Sequence, residues 1–315
     1  MRHLLLLFSS LCSLFLTAQK TLPTFDGIVS DAEWINAEKF NINYEIEPGN
    51  NEPSTHETKV FITYSKTDLY VGFIAYADMK NLRSSIRNRD EGYLDDNVMI
   101  GIDTYGDGRY MISLGSNPEG NQLDLKFSSS GDSDSSYNLS FESKASKHKN
   151  SYHVELKIPF AVLQFNKADE MKWNVLLYRS TYTDENRSQN INFPIDLNNP
   201  CLPCQTKSNI TLKNIESKNR VSLLPYVFGG LSGFQENENL SYEKPFGDVG
   251  LSGLFDLNNT TSLEYAINPD FSQVEADVSQ ITANNTFAVF FEERRAYFNE
   301  GNDIIDSRLN TVYTR

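Results

Sequence analysis

Cysteine is nearly missing from this chain of 315 residues: there are three, alongside two tryptophans, five methionines and four histidines. So few thiols exclude a disulfide-dense scaffold. Cys201 and Cys204 have no second Cys or His pair near them, which excludes a four-ligand zinc site. A haem attachment motif needs histidine next, and residue 205 is glutamine. A thioredoxin-like redox site needs a βαβ setting that the pattern lacks. With Cys12 inside an N-terminal apolar run, a local Cys201–Cys204 disulfide in an oxidising compartment is the remaining reading. His56, His148 and His153 are scattered without metal-ligand spacing, and no Ser-His-Asp nucleophile motif appears.

Positive charge is also scarce. Twenty-eight Lys and Arg face 42 Asp and Glu, a net −14, which argues against nucleic acid as a partner because phosphates need cations to neutralise them. Long apolar runs are missing after the first. Leu4 to Leu16 follows Arg2 and His3 and precedes Thr17-Ala18, the order of a secretory signal. The run falls short of the roughly twenty residues of a spanning helix. Cys12 follows Leu11 rather than a small residue, so cleavage near Ala18 is expected instead of lipid attachment. We expect 1–18 to be a signal peptide, and the remainder is long enough for two domains.

What the chain has in abundance is short strands. From about residue 19 to 215, runs of period-two alternation are split by Gly, Asn, Asp and Ser clusters. Val60, Ile62 and Tyr64 alternate with Lys59, Phe61 and Thr63. Tyr152, Val154, Leu156 and Ile158 alternate with His153, Glu155 and Lys157, and Trp173, Val175 and Leu177 repeat the theme. Leu69 to Tyr76 is apolar on both faces and reads as a central strand. The pattern predicts an all-β sandwich of immunoglobulin or jelly-roll type. One helix is expected at Ser30-Asp-Ala-Glu33, a capping box, with Trp34 on its first turn plugging one end of the sandwich. Beyond about 216, Val221 to Phe228, Gly247 to Phe255 and Thr261 to Ile267 are again strand-like. In the last, Leu263, Tyr265 and Ile267 face one way and Ser262, Glu264 and Ala266 the other, as in the wall of a β-barrel. Three strands cannot close a barrel, so 216–315 is expected to be its truncated beginning.

Two resemblances sharpen this. Asp26-Gly-Ile-Val-Ser-Asp-Ala-Glu-Trp34, Asp95 to Asp103, Asp107-Gly-Arg109 and Ile158-Pro-Phe160 resemble family 9 carbohydrate-binding modules over about residues 24 to 195. Asn268-Pro269-Asp270-Phe271, Gln273, Val274, Glu275 and Asp277, then Phe290, Phe291, Glu293, Arg295, Phe298, Glu300 and Gly301, resemble the signature of an uncharacterised bacterial family. There a sugar-binding-like sandwich precedes a part that looks like an outer-membrane barrel. The first resemblance implies a sandwich that binds sugar between aromatic side chains and holds structural calcium. The modules use a tryptophan pair. Here Trp173 is a platform or a core residue, and Tyr137 and Phe141 stand where relatives often carry tryptophan. Arg109 either donates to vicinal hydroxyls or is solvated or paired to Asp103. Asp95, Asp96, Asp103 and Asp107 are candidate calcium ligands, with Asp132 and Asp134 a weaker set, although aspartates beside glycine also make turns.

These features imply an exported carbohydrate-binding protein of the outer membrane or periplasm of a Gram-negative bacterium, serving carbohydrate uptake or catabolism. The alternative is a secreted hydrolase of O-glycosyl compounds with the sandwich as its binding module. In that case the signature acids would supply the two carboxylates. Otherwise those acids form ion-pair networks with Arg294 and Arg295.

Overall fold

The computed structural model describes residues 22–268, apart from 136, 184–185, 217–218, 220, 232, 237–238, 243 and 259–260. The expected signal peptide, and the acidic signature beyond Asn268, lie outside the described residues. The first strands are β1 (Glu38–Asn41), β2 (Tyr44–Glu47), β3 (Glu52–Pro53), β4 (Thr58–Tyr64) and β5 (Asp68–Tyr76). Next come β6 (Asn97–Asp103), β7 (Tyr110–Ser116), β8 (Gln122–Ser128), β9 (Ser133–Asp134) and β10 (Glu142–Lys147). Then follow β11 (Ser151–Pro159), β12 (Glu170–Thr183), β13 (Asn186–Ile191) and β14 (Ser208–Lys213).

These make an antiparallel two-sheet sandwich. One sheet runs β1-β4-β5-β11-β10 and the other β3-β2-β13-β12-β6-β7-β8-β9, with β14 also on β12. Strand β12 is the spine of the larger sheet. Glu170 to Val175 pairs with β14 and Tyr178 to Thr183 with β13, while its other edge holds β6. The alternation seen in the sequence directs every second side chain inward. Val60 and Ile62 of β4, Val71 and Phe73 of β5, and Val154 and Leu156 of β11 join Val98, Ile100 and Ile102 of β6 in one core. Trp173, Val175 and Leu177 of β12 complete it. Burying each such side chain contributes about 1.5–3 kcal/mol.

Strand β5 lies centrally, between β4 and β11, and both its faces are covered. Its outer face explains Trp34. No helix forms after Ser30: residues 31–36 are successive turns, with Trp34 N donating to Ser30 O at 3.0 Å. Half of the expected capping box exists, since Glu33 N approaches Ser30 Oγ at 3.4 Å. The Glu33 carboxylate instead accepts from Thr24 N, so the reciprocal bond is diverted. Trp34 does not plug an end of the sandwich. It packs with Val29, Phe61 and Ile74 on the outer face of the five-stranded sheet and is 1% exposed. Gly72 makes room for it, because a Cβ there would come within 2.9 Å of the indole.

Beyond the sandwich, β15 (Val221–Gly230), β16 (Gly233–Glu236), β17 (Asn239–Tyr242), β18 (Phe246–Asn258) and β19 (Thr261–Ile267) follow. Strands β15, β18 and β19 form an antiparallel sheet, and β16 and β17 a hairpin. The register aligns Val221 with Phe255 and Leu263, Leu223 with Gly253 and Tyr265, Pro225 with Leu251 and Ile267, and Val227 with Val249. One face is therefore apolar from end to end, and Val227 is 82% exposed on it. The opposite face carries Ser222, Ser252, Asp248 and Glu264 among Leu224, Tyr226 and Leu254.

Trp34→Ala should lower the stability of the sandwich by about 3–5 kcal/mol, the cost of emptying a buried aromatic site. Urea unfolding followed by tyrosine and tryptophan fluorescence measures it. A loss below about 1 kcal/mol would mean that this indole is not part of the packing.

Candidate functional site

The residues singled out from sequence do not assemble into a sugar clamp. Trp173 is core: it is 1% exposed and meets the rings of Phe160 and Phe165 at centroid distances of 5.8 and 5.1 Å. Its inward position in the β12 alternation packs it into the core, and it is not among the residues that line the cleft described below. Phe141 is buried too, and the Arg89 guanidinium lies 5.4 Å from its ring centre. Tyr137 is half-buried against the core, with the Lys126 ammonium 5.4 Å from its ring. Arg109 is exposed and pairs with Asp107 at 3.3 Å rather than with Asp103.

The four aspartates do not converge on a cation. Asp95 and Asp96 precede β6 while Asp103 ends it and Asp107 follows it, a separation of about 20 Å at the rise of an extended strand. Their oxygens are committed locally. Asp103 accepts from the backbone N–H groups of Tyr105, Gly106 and Gly108, closing the β6–β7 turn. Asp107 accepts from Arg109 N. Asp95 is fully buried and accepts from Ser85 N, Arg87 Nε and Asn117 Nδ2, each at 3.1 Å. Among the described residues no group of three or more His, Cys, Asp or Glu gathers, and these four aspartates do not form one site. Cys201 and Cys204 are joined, and their sulfurs lie over the Gly108 carbonyl at 3.6 and 3.5 Å.

The site with chemical potential lies at one end of the sandwich. His56 precedes β4, Asp78 and Asn81 follow β5, Asp96 leads into β6, and Arg179, Thr181 and Tyr182 end β12; they line a cleft of about 220 Å³. Arg179 is wholly buried. Its Nη1 donates to Thr58 Oγ1 at 2.7 Å and Glu57 O at 3.1 Å, and its Nη2 to Tyr76 O at 2.7 Å. All three acceptors are neutral, and the guanidinium stands 5.7 Å from the centre of the Tyr152 ring. Arg179 Nε and Thr181 Oγ1 are buried without a hydrogen-bond partner among the described residues. Asp96 accepts from Arg83 N at 3.0 Å. Burial pushes its carboxyl up to about 6, against bonds from the Arg83 and Tyr182 backbone and the charge of Arg179. Tyr182 borders the cleft, with the Arg83 guanidinium 4.8 Å from its ring centre.

The segment joining β5 to β6 forms one wall. Arg87 clamps Asp95, and Arg89 clamps Asp124 at 2.7 Å while also reaching Gln122. Sequence reasoning picked out Asp96 for another role and missed Arg179, Thr181 and Tyr182. A signal was present. In the inward series Trp173, Val175, Leu177, Arg179, a charged residue takes a core position.

On the outer face of the five-stranded sheet, Glu155 is buried and accepts from Asp26 N at 2.8 Å and Gly27 N at 2.6 Å. His153 Nδ1 accepts from Val29 N at 3.2 Å. Together they fasten the N-terminal segment. Gly27 has φ +93, a conformation that only glycine adopts without strain, so the Asp26-Gly27 pair has a mechanical reason to be there. Burial outweighs the two backbone bonds and raises the Glu155 carboxyl to about 7.

A concave cleft between the end loops of an antiparallel sandwich is a place where a small ligand can bind. The model of the carbohydrate family 9 binding domain-like family matches residues 25–197, and the chain belongs to that family. Residues 217–315 match a second family, a domain of unknown function designated DUF5916. Among solved structures, the chain is similar to a family 9 carbohydrate binding module from Caldicellulosiruptor kristjanssonii in complex with cellotriose. The two are 16% identical with a TM-score of 0.41, covering 62% of this chain and 90% of that one. A glucose complex of a module from the same organism gives 17% identity and 0.41, covering 62% and 92%. The curated proteins yield no match.

A carboxyl whose pKa is higher folded than unfolded stabilises the fold in its protonated form. The Glu155 and Asp96 contributions are thus fully present below about pH 4, near their unfolded values, and are lost as pH rises through about 7 and about 6. Glu155→Gln keeps a neutral acceptor for Asp26 and Gly27, so its melting temperature should fall less between pH 5 and 8 than the parent's. Identical pH slopes in scanning calorimetry would show that Glu155 is already ionised in the fold.

Proposed function

We propose that the sandwich binds a carbohydrate in the cleft at the end of β12. The supporting observation is that two buried polar groups lining this cleft, Arg179 Nε and Thr181 Oγ1, have no partner among the described residues. A buried donor without a partner costs about 1–3 kcal/mol; sugar oxygens would satisfy both groups. The cleft's 220 Å³ suits one sugar ring, so an oligosaccharide would bind by its end. Family membership points the same way.

In the same reading the chain is exported and held at the outer membrane by its C-terminal strands, serving carbohydrate uptake or catabolism. The observation behind this is the unbroken apolar face of the β15-β18-β19 sheet. Lipid is a solvent that such a face needs and that water is not. The apolar run Leu4 to Leu16 supports export.

Titration calorimetry of the full chain in detergent, against a panel of mono- and oligosaccharides, tests the first part. Thr181→Val should weaken binding by about 0.5–1.5 kcal/mol, roughly twofold to twelvefold, and Tyr182→Ala by a comparable amount. Heat that both variants leave unchanged would move the sugar away from this cleft.

Cell fractionation tests the second part. The full chain should be recovered with outer membranes and released only by detergent. Val249→Arg, which buries a cation in hydrocarbon at a cost of up to about 2–4 kcal/mol, should reduce the inserted fraction. Recovery of the parent chain as soluble protein would remove the membrane from the account.

A further inference from the structure

We infer that the cleft selects an acidic sugar, a uronate whose carboxylate is neutralised by Arg179; the inference rests on the carbohydrate reading of the same site.

Arg179 is an unusual residue for a sandwich interior. Its side chain is fully buried and takes a core position in β12, yet no carboxylate forms an ion pair with it among the described residues. Its three bonds all go to neutral oxygens, those of Glu57, Tyr76 and Thr58. Removing a guanidinium from water without a counter-charge is costly, and the cost is recovered when an anion enters. Nε is the one guanidinium nitrogen without a partner, and Thr181 Oγ1, also unpartnered, can donate to the same group. A carboxylate has two oxygens to accept from these two donors. A neutral sugar offers hydroxyls, which satisfy the bonds and leave the charge uncompensated. The sugar's hydroxyls meet the polar rim of Asp78 and Asn81.

The remaining charges around the cleft set the conditions. Burial and the charge of Arg179 lower the His56 pKa, so His56 adds no cation near neutrality. Asp95 is neutralised by Arg87. Asp78 is exposed and accepts from Lys80 N and Asn81 Nδ2. Arg83 stands over Tyr182. Asp96 is the group that competes with an incoming carboxylate, and its carboxyl is protonated below about 6. Uronate binding should therefore strengthen as pH falls from 8 to 5.5, while the ligand stays ionised. The net charge of −14 opposes any anion at long range, but exposed charges beyond about 8 Å are screened at physiological salt. A desolvated cation at contact distance is screened far less.

The experiment is calorimetry on the full chain in detergent with D-glucuronate, D-glucose and acetate at pH 5.5 and 8. Glucuronate should bind at least tenfold more tightly than glucose, tighten several-fold on acidification, and exceed acetate. Arg179→Lys should shrink the preference over glucose. Because that buried position risks misfolding, Asp96→Asn is the second variant: it should bind glucuronate at pH 8 as the parent does at pH 5.5, with the pH dependence gone. Glucose binding as tightly as glucuronate, and losing affinity in Thr181→Val, would overturn the acidic preference while leaving carbohydrate binding intact. Acetate matching glucuronate would reduce the cleft to a bare anion site and defeat the sugar specificity. No heat from either sugar would remove both readings.

Discussion

One guanidinium ties the two sheets together at the end where the loops gather. Arg179 belongs to the larger sheet, and its bonds reach across the core to Glu57 and Thr58 at the start of β4 and to Tyr76 at the end of β5. The end of the sandwich is therefore closed by directional polar bonds rather than by apolar contact. Such bonds fix geometry, because a buried donor is costly in any arrangement that misses its acceptor. The same group that orders this end also lines the cleft there, so order and binding potential share a cause.

The rest of the sandwich hangs on this arrangement in a graded way. Away from the cleft, Val, Ile and Leu from alternate positions fill the core, and around Trp173 the packing is aromatic on aromatic. The outer face of the smaller sheet repeats the logic on a smaller scale. Trp34 covers Gly72 and Phe61, and the Glu155 carboxyl and the His153 ring hold the backbone of the segment that carries it. Arg87 and Arg89 then pin the β5–β6 connection through Asp95 and Asp124. Buried charge is used where a loop must be held, and apolar area where strands must stack.

The strands were legible because the period-two pattern and the pleat are the same fact seen twice. Val98, Ile100 and Ile102 could face only one way together, and β5, apolar on both faces, could only be central and covered. The turns after Ser30 were not legible, and a helix was expected in their place. A capping box is a local preference worth about 1 kcal/mol, and burial of Trp34 against Phe61 outweighs it. The aspartates misled for a related reason. A short-range motif says that oxygens are available, but β6 separates Asp96 from Asp103 by its whole length, and backbone donors claim Asp103 first.

Sequence alone determined the class: alternating strands, one sandwich, the family resemblance, and the change of character near residue 216. It also held a signal that went unread, the charge of Arg179 at an inward position. Only the tertiary structure decided which residues meet, because the cleft draws on segments before β4, after β5, before β6 and at the end of β12, which are far apart in the chain. It turned Trp173 from a possible platform into core and left Arg109 on the surface. Exposure is a property of what neighbouring strands cover, and no single strand's pattern contains that information.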